Sequence, residues 1–249
     1  MDTLDLVVIG GAIVAGFVQG LSGFAFGLVA MAVWVWWLDP HVAGPMVIFG
    51  GLLGQILSLG TIRATFKLQR CGPVILGGAL GVPIGVALLN TIQPSAFKLF
   101  VGLVLAITCP LMLAAKQIPK VSAGGKWADA GAGVIGGVMG GLGGLSGPAP
   151  TLWTALRGWS RDDQRAVIQS FNLAMQTLTM SAYIYSGIIT AEMVRYFAII
   201  APAMLIPSLI GNRLYSRLGD DTFRRIVLVL LTISGLVIAL NAGPQLFAA

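Results

Sequence analysis

"GLGGLSGPAP", Gly141–Pro150, breaks an otherwise apolar stretch of a 249-residue chain. Its glycines and two prolines end any helix, and the ten residues before it carry no charge. Of the whole chain 57% is hydrophobic and only 10% charged, with a mean hydropathy of +0.90. Soluble domains carry about 25% charged residues, so this composition cannot cover a water-facing surface. The chain reads as an all-α integral membrane protein, and the break falls at membrane depth. Irregular backbone survives there only when packed in protein or lining a polar cavity.

The net charge of +6 does not point to nucleic acid. The basic residues lie in short loops between apolar runs, the pattern that orients membrane proteins. One histidine and two cysteines far apart in sequence, Cys71 and Cys109, do not supply the clustered groups of an enzyme or redox relay. No enzyme activity and no cofactor or metal is expected. The cysteines read as small apolar fillers and His41 as an outer-loop residue. The opening "MDTLDLVVIGG" lacks a basic n-region, so residues 4–20 are expected to belong to the mature fold.

The break has a counterpart. "GFVQGLSG" (Gly16–Gly23) aligns with "GVMGGLGG" (Gly137–Gly144) at an offset of 121, which also carries Gln55 onto Gln176. Later the offset becomes 126, pairing Gly85 with Gly211 and Phe97 with Phe223. Two copies of one unit are therefore expected: an N-terminal repeat over 1–115, a cytoplasmic linker over 116–126 and a C-terminal repeat over 127–249.

Each half divides into five apolar segments: 4–20, 24–38, 42–62, 72–90 and 96–115, then 127–142, 148–158, 164–187, 192–214 and 222–241. A crossing needs about 20 helical residues. The first two segments of each half fall short, and "PAPTLWTAL" gives only about 14 Å of helix. Each half is expected to hold a half-length helical hairpin followed by three transmembrane helices. Arg63, Lys67 and Arg70, then Lys116, Lys120 and Lys126, then Arg157, Arg161 and Arg165, then Arg213, Arg217, Arg224 and Arg225 mark four cytoplasmic loops. With both termini outside, this alternation makes the halves inverted copies, one hairpin opening outward and the other inward. Ten full crossings satisfy the same parity; the short 148–158 segment favours hairpins.

In transporters built from inverted repeats, broken helices direct their N-termini at an anionic substrate. Ser22 and Gly23, and Ser146 and Gly147, precede the second helix of each hairpin. There a serine can cap the helix and a glycine can admit a ligand to the backbone. Gln169, Asn172, Gln176 and Thr179 recur at helical spacing on one face, and Gln55 is the first-half match of Gln176. Ser22, Gly23, Gln55, Ser146, Gly147, Asn172 and Gln176 are the candidate substrate-binding residues. Gly16, Gly20, Gly137 and Gly141, with Gly77, Gly81 and Gly85, read as helix-packing positions. All nine acidic residues lie near segment ends or loops, which disfavours carboxylate-based ion coupling. Arg195 reads as snorkelling to the outer interface.

"GFVQGLSGFAFG" (Gly16–Gly27) and "GGVMGGLGGLSGPAP" (Gly136–Pro150) resemble the repeat openings of the TauE/SafE family, the toluenesulfonate uptake permease-like proteins. The first motif is the less glycine-rich. The resemblance covers nearly the whole chain and implies a multi-pass permease or exporter of the bacterial inner membrane. It further implies a small anionic substrate: sulfite, sulfoacetate or another sulfur oxyanion or organosulfonate. A homo-oligomer is compatible with it. The alternatives are a permease for another small solute or a cation, and a non-transporting membrane scaffold.

Overall fold

The computed structural model describes residues 2–59, 66–115, 117–215 and 220–247. Arg63, Lys116 and Arg217, three of the expected loop cations, lie outside the described residues. Within them the chain forms ten helices and no strand. These are α1 (Thr3–Ser22), α2 (Phe26–Trp34), α3 (Pro40–Leu57), α4 (Leu68–Leu89), α5 (Pro94–Ala114), α6 (Gly125–Gly143), α7 (Pro148–Leu156), α8 (Arg161–Tyr185), α9 (Ala191–Tyr215) and α10 (Asp220–Phe247).

Among the described residues six stretches are long and apolar enough to span a bilayer: α1, α3, α4, α5, Met193–Leu214 of α9 and Phe223–Gln245 of α10. Helix α8 has 25 residues, about 37 Å, and is long enough too. Its glutamines, asparagine and threonines keep it below that apolarity. Leu76 and Leu80, one helical turn apart on α4, are 69% and 72% exposed. A row of bare leucines on a packed helix faces lipid rather than water.

Both pairs α1–α2 and α6–α7 are hairpins with unequal arms. The return arms have nine residues each, about 14 Å. The outgoing arms are longer than the expected half-length segments, with 20 and 19 residues. At the start of α1, Asp2 and Asp5 form a reciprocal capping box, which carries the helix out to Thr3. Both outgoing arms end on a left-handed glycine, Gly23 (φ 80°) and Gly144 (φ 73°). Only glycine takes that backbone without strain, and there it turns the chain back.

The hairpins open at opposite ends of the molecule. Helix α1 runs parallel to α9, its Gly16 against Met204 and its Gly20 against Ser208 and Asn212. Helix α6 runs parallel to α4, its Gly137 against Gly78 and its Gly141 against Val82. These two contacts are related by the 121 and 126 offsets of the sequence. The glycine positions at Gly77, Gly81 and Gly85 likewise meet α6 backbone. Where the tips pass each other, a Cβ on Gly27 would lie 2.8 Å from the Gly144 carbonyl oxygen, and one on Gly147 would lie 3.4 Å from the Phe24 ring.

Ion pairs mark the two ends. At one, Asp5 of α1 accepts from Arg195 of α9 at 2.7 Å, so Arg195 does more than reach for the interface. At the other, Asp129 meets Arg157 at 3.2 Å, and Asp163 binds Lys67 at 2.8 Å and also Arg70. The Asp5 side chain is 4% exposed and that of Arg195 57%. Arg195→Ala therefore leaves a buried carboxylate unpaired and should cost about 3 kcal/mol. Asp5→Asn returns the arginine to water and should cost clearly less. Melting temperatures of the two variants in detergent test this; equal losses would contradict it.

Candidate functional site

The two tips differ in how their backbone amides are used. At the first, the Ser22 hydroxyl donates to the Val18 carbonyl at 2.8 Å and accepts from the Ala25 and Phe24 amides at 3.1 and 3.4 Å. The Phe26 amide donates to Gln19 Oε1 at 3.0 Å. The Gly23 carbonyl accepts from Gln55 Nε2 at 3.0 Å and Gln19 Nε2 at 3.5 Å. The Phe24, Ala25 and Phe26 amides leading into α2 are thus taken by the chain's own side chains, whereas those of Gly27 and Leu28 have no protein partner among the described residues. Ser22 is the last residue of α1, not the residue before α2, so the two Ser–Gly pairs are not structurally equivalent.

At the second tip the Ser146 hydroxyl donates to Asn172 Oδ1 at 2.9 Å. Two of the three residues opening α7, Pro148 and Pro150, have no amide hydrogen. The amides of Ser146, Gly147 and Ala149 have no protein partner among the described residues. Beside them stand buried side chains with unpaired polar atoms: Asn172 Nδ2, Thr151 Oγ1, and both Gln169 Nε2 and Oε1. Gln169 is 1% exposed and lies directly over Gly23, whose missing side chain leaves the amide room. Further along the α8 face, Gln176 Oε1 and Thr179 Oγ1 are also unpaired, as is Gln55 Oε1 on α3. Buried polar atoms normally find a partner; these stand without one, clustered between two broken helices.

A cavity of about 480 Å³ touches two members of this cluster, Thr151 and Gln169. At its inner end are Ser22, Phe24, Ala25, Thr151 and Gln169; at its mouth are Lys120, Arg161, Arg165, Arg224 and Arg225, with Asp162 as the one acid among the described residues. The volume falls within the ~300–1,000 Å³ of ligand sites. Among the described residues the mouth thus carries five cationic side chains and one acidic one. Nearby, Lys67 and the Ser160 hydroxyl hold the Asp163 carboxyl below its ordinary range. That acid stays ionised and ties the polar ends of α4 and α8 together, with Arg70 stacked 5.3 Å over the Trp159 ring.

Of the residues expected from sequence, Ser146, Gly147 and Asn172 come together at the second tip. Gln176 stands one turn beyond Asn172, against Gly51 of α3. Ser22, Gly23 and Gln55 come together at the first tip but bond one another's surroundings. Gln19 and Thr151 escaped the sequence reading. A glutamine one turn before a break in an apolar helix was the available signal for the first; nothing marked the second. Arg224 and Arg225 were legible as topology markers, not as cavity lining.

A protein-family model described as "Sulfite exporter TauE/SafE" matches residues 8–238. No curated protein and no solved structure matches the chain.

Proposed function

The chain belongs to the TauE/SafE family, whose members are membrane transporters rather than enzymes, and from that membership we propose that it is a permease for a small oxidised-sulfur anion, sulfite or an organosulfonate. The supporting observation is a cavity that leads from five cations to the buried, unpaired Thr151 hydroxyl and Gln169 amide. Each hydrogen bond from such a group to an anion is worth about 1.5–3 kcal/mol. A sulfonate or sulfite head offers three oxygens to receive them.

In this reading the anion rests against the Ser146 and Gly147 amides, Thr151, Gln169 and Asn172. Ser22, Gly23, Gln19 and Gln55 hold the first hairpin in shape beside it. The parallel pairings of α1 with α9 and α6 with α4, related by the repeat offsets, support two inverted repeats with the boundaries given above. The gathering of Lys67, Arg70, Lys120, Arg157, Arg161, Arg165, Arg224 and Arg225 at one end supports a cytoplasmic mouth. Both termini would then lie outside a bacterial inner membrane.

Flux of labelled sulfite and sulfoacetate into proteoliposomes is the direct test. Rates equal to those of empty liposomes for the whole panel would end the proposal. The mouth gives a second measurement. Arg224→Gln with Arg225→Gln should slow entry about tenfold at low salt, and the difference should shrink as ionic strength screens the field. A defect independent of salt would assign those arginines to the fold instead.

A further inference from the structure

Charge along the cavity is sorted by position. Among the described residues its ionisable side chains are Lys120 on the linker, Arg161, Asp162 and Arg165 in the first turns of α8, and Arg224 and Arg225 in the first turns of α10. Arginines keep their proton at any physiological pH. Beyond them, the unpaired groups of Thr151, Gln169, Asn172, Gln176 and Thr179 are all neutral.

The buried carboxylates among the described residues are already engaged. Asp5 is paired with Arg195, Asp129 with Arg157, and Asp163 with Lys67 and Arg70. The Tyr183 hydroxyl donates to the Gly141 carbonyl at 2.6 Å, and His41 is exposed and bonded to Asp39. Among the described residues, no carboxylate or imidazole therefore stands beside the orphan amides. A proton or sodium ion travelling with the anion would want such a group at membrane depth.

Resting on the reading of this cavity as an anion path, we infer that the anion crosses alone, as uncompensated negative charge. The fixed cations lower the barrier to entering but stay with the protein, so each cycle moves net charge. A membrane potential then acts on the transported species directly, at about fiftyfold in the equilibrium ratio per 100 mV. With the basic mouth facing a negative interior, the resting potential pushes the anion from that mouth to the far side. Export needs no second ion.

The experiment uses the purified chain in liposomes with an imposed potassium gradient and valinomycin. The probe is labelled methanesulfonate, which carries one negative charge at every pH used. The expected steady-state ratio of inside to outside anion shifts about tenfold for each ~60 mV imposed, rising when the lumen is positive. It stays the same when choline replaces sodium and when a pH gradient is added. A ratio indifferent to voltage, or one that follows the sodium or pH gradient, overturns the inference while leaving the anion permease intact. Absence of flux for methanesulfonate, sulfite and sulfoacetate alike removes the permease reading, and the inference falls with it.

Discussion

Gln169→Leu should make the protein more stable and nearly inactive at once. In the wild type both polar atoms of this amide are buried without partners, a state that costs about 1–3 kcal/mol per group. Leucine of similar volume removes that cost and fills the same space over Gly23. The melting temperature in detergent should rise. Transport should fall by roughly ten- to a hundredfold, the worth of one hydrogen bond to a charged substrate. Opposite signs are the signature of a group kept for a ligand at the expense of the fold. If stability and transport dropped together, Gln169 would be structural; if neither moved, the anion path would lie elsewhere.

The second large effect concerns glycines that permit helix contact. Gly20→Ala and Gly141→Ala should each destabilise the fold by more than about 3 kcal/mol, beyond ordinary core overpacking. A methyl on Gly20 would overlap the Ser208 carbonyl oxygen, and one on Gly141 the Val82 carbonyl oxygen. Neither backbone can retreat without separating a whole helix pair. Gly10→Ala and Gly131→Ala are the controls. They lie on the same two helices at the same 121 offset, yet an added methyl meets nothing within 4 Å. Each should be neutral or stabilising by up to about 1 kcal/mol, since alanine is the better helix former. Yield of monodisperse protein and thermal melting measure all four. Equal behaviour of the two pairs would refute the close α1–α9 and α6–α4 contacts.

Glycine spacing, apolar runs and the breaks at Gly23 and Gly144 were readable in the residues, because each acts on its own backbone within a turn or two. The same holds for the polar face of α8, which follows from helical spacing alone. The lengths of α1 and α6 were less legible, since a capping box and loop glycines, not apolarity, set where those helices start. Which hairpin offers free amides could not be read at all. "LSG" and "LSGP" present the same serine and glycine, yet Gln19 and Gln55 reach the first tip and fill its needs. At the second, the Ser146 hydroxyl turns to Asn172 instead of capping the helix, and the Gly147 and Ala149 amides stay open. A hydrogen bond is satisfied by whichever group arrives in space, from 7 residues away in one case and 32 in the other. For the same reason Lys120, Arg161 and Arg224 could be placed at one membrane face by counting loops, but only packing of the linker, α8 and α10 gathered them around one cavity.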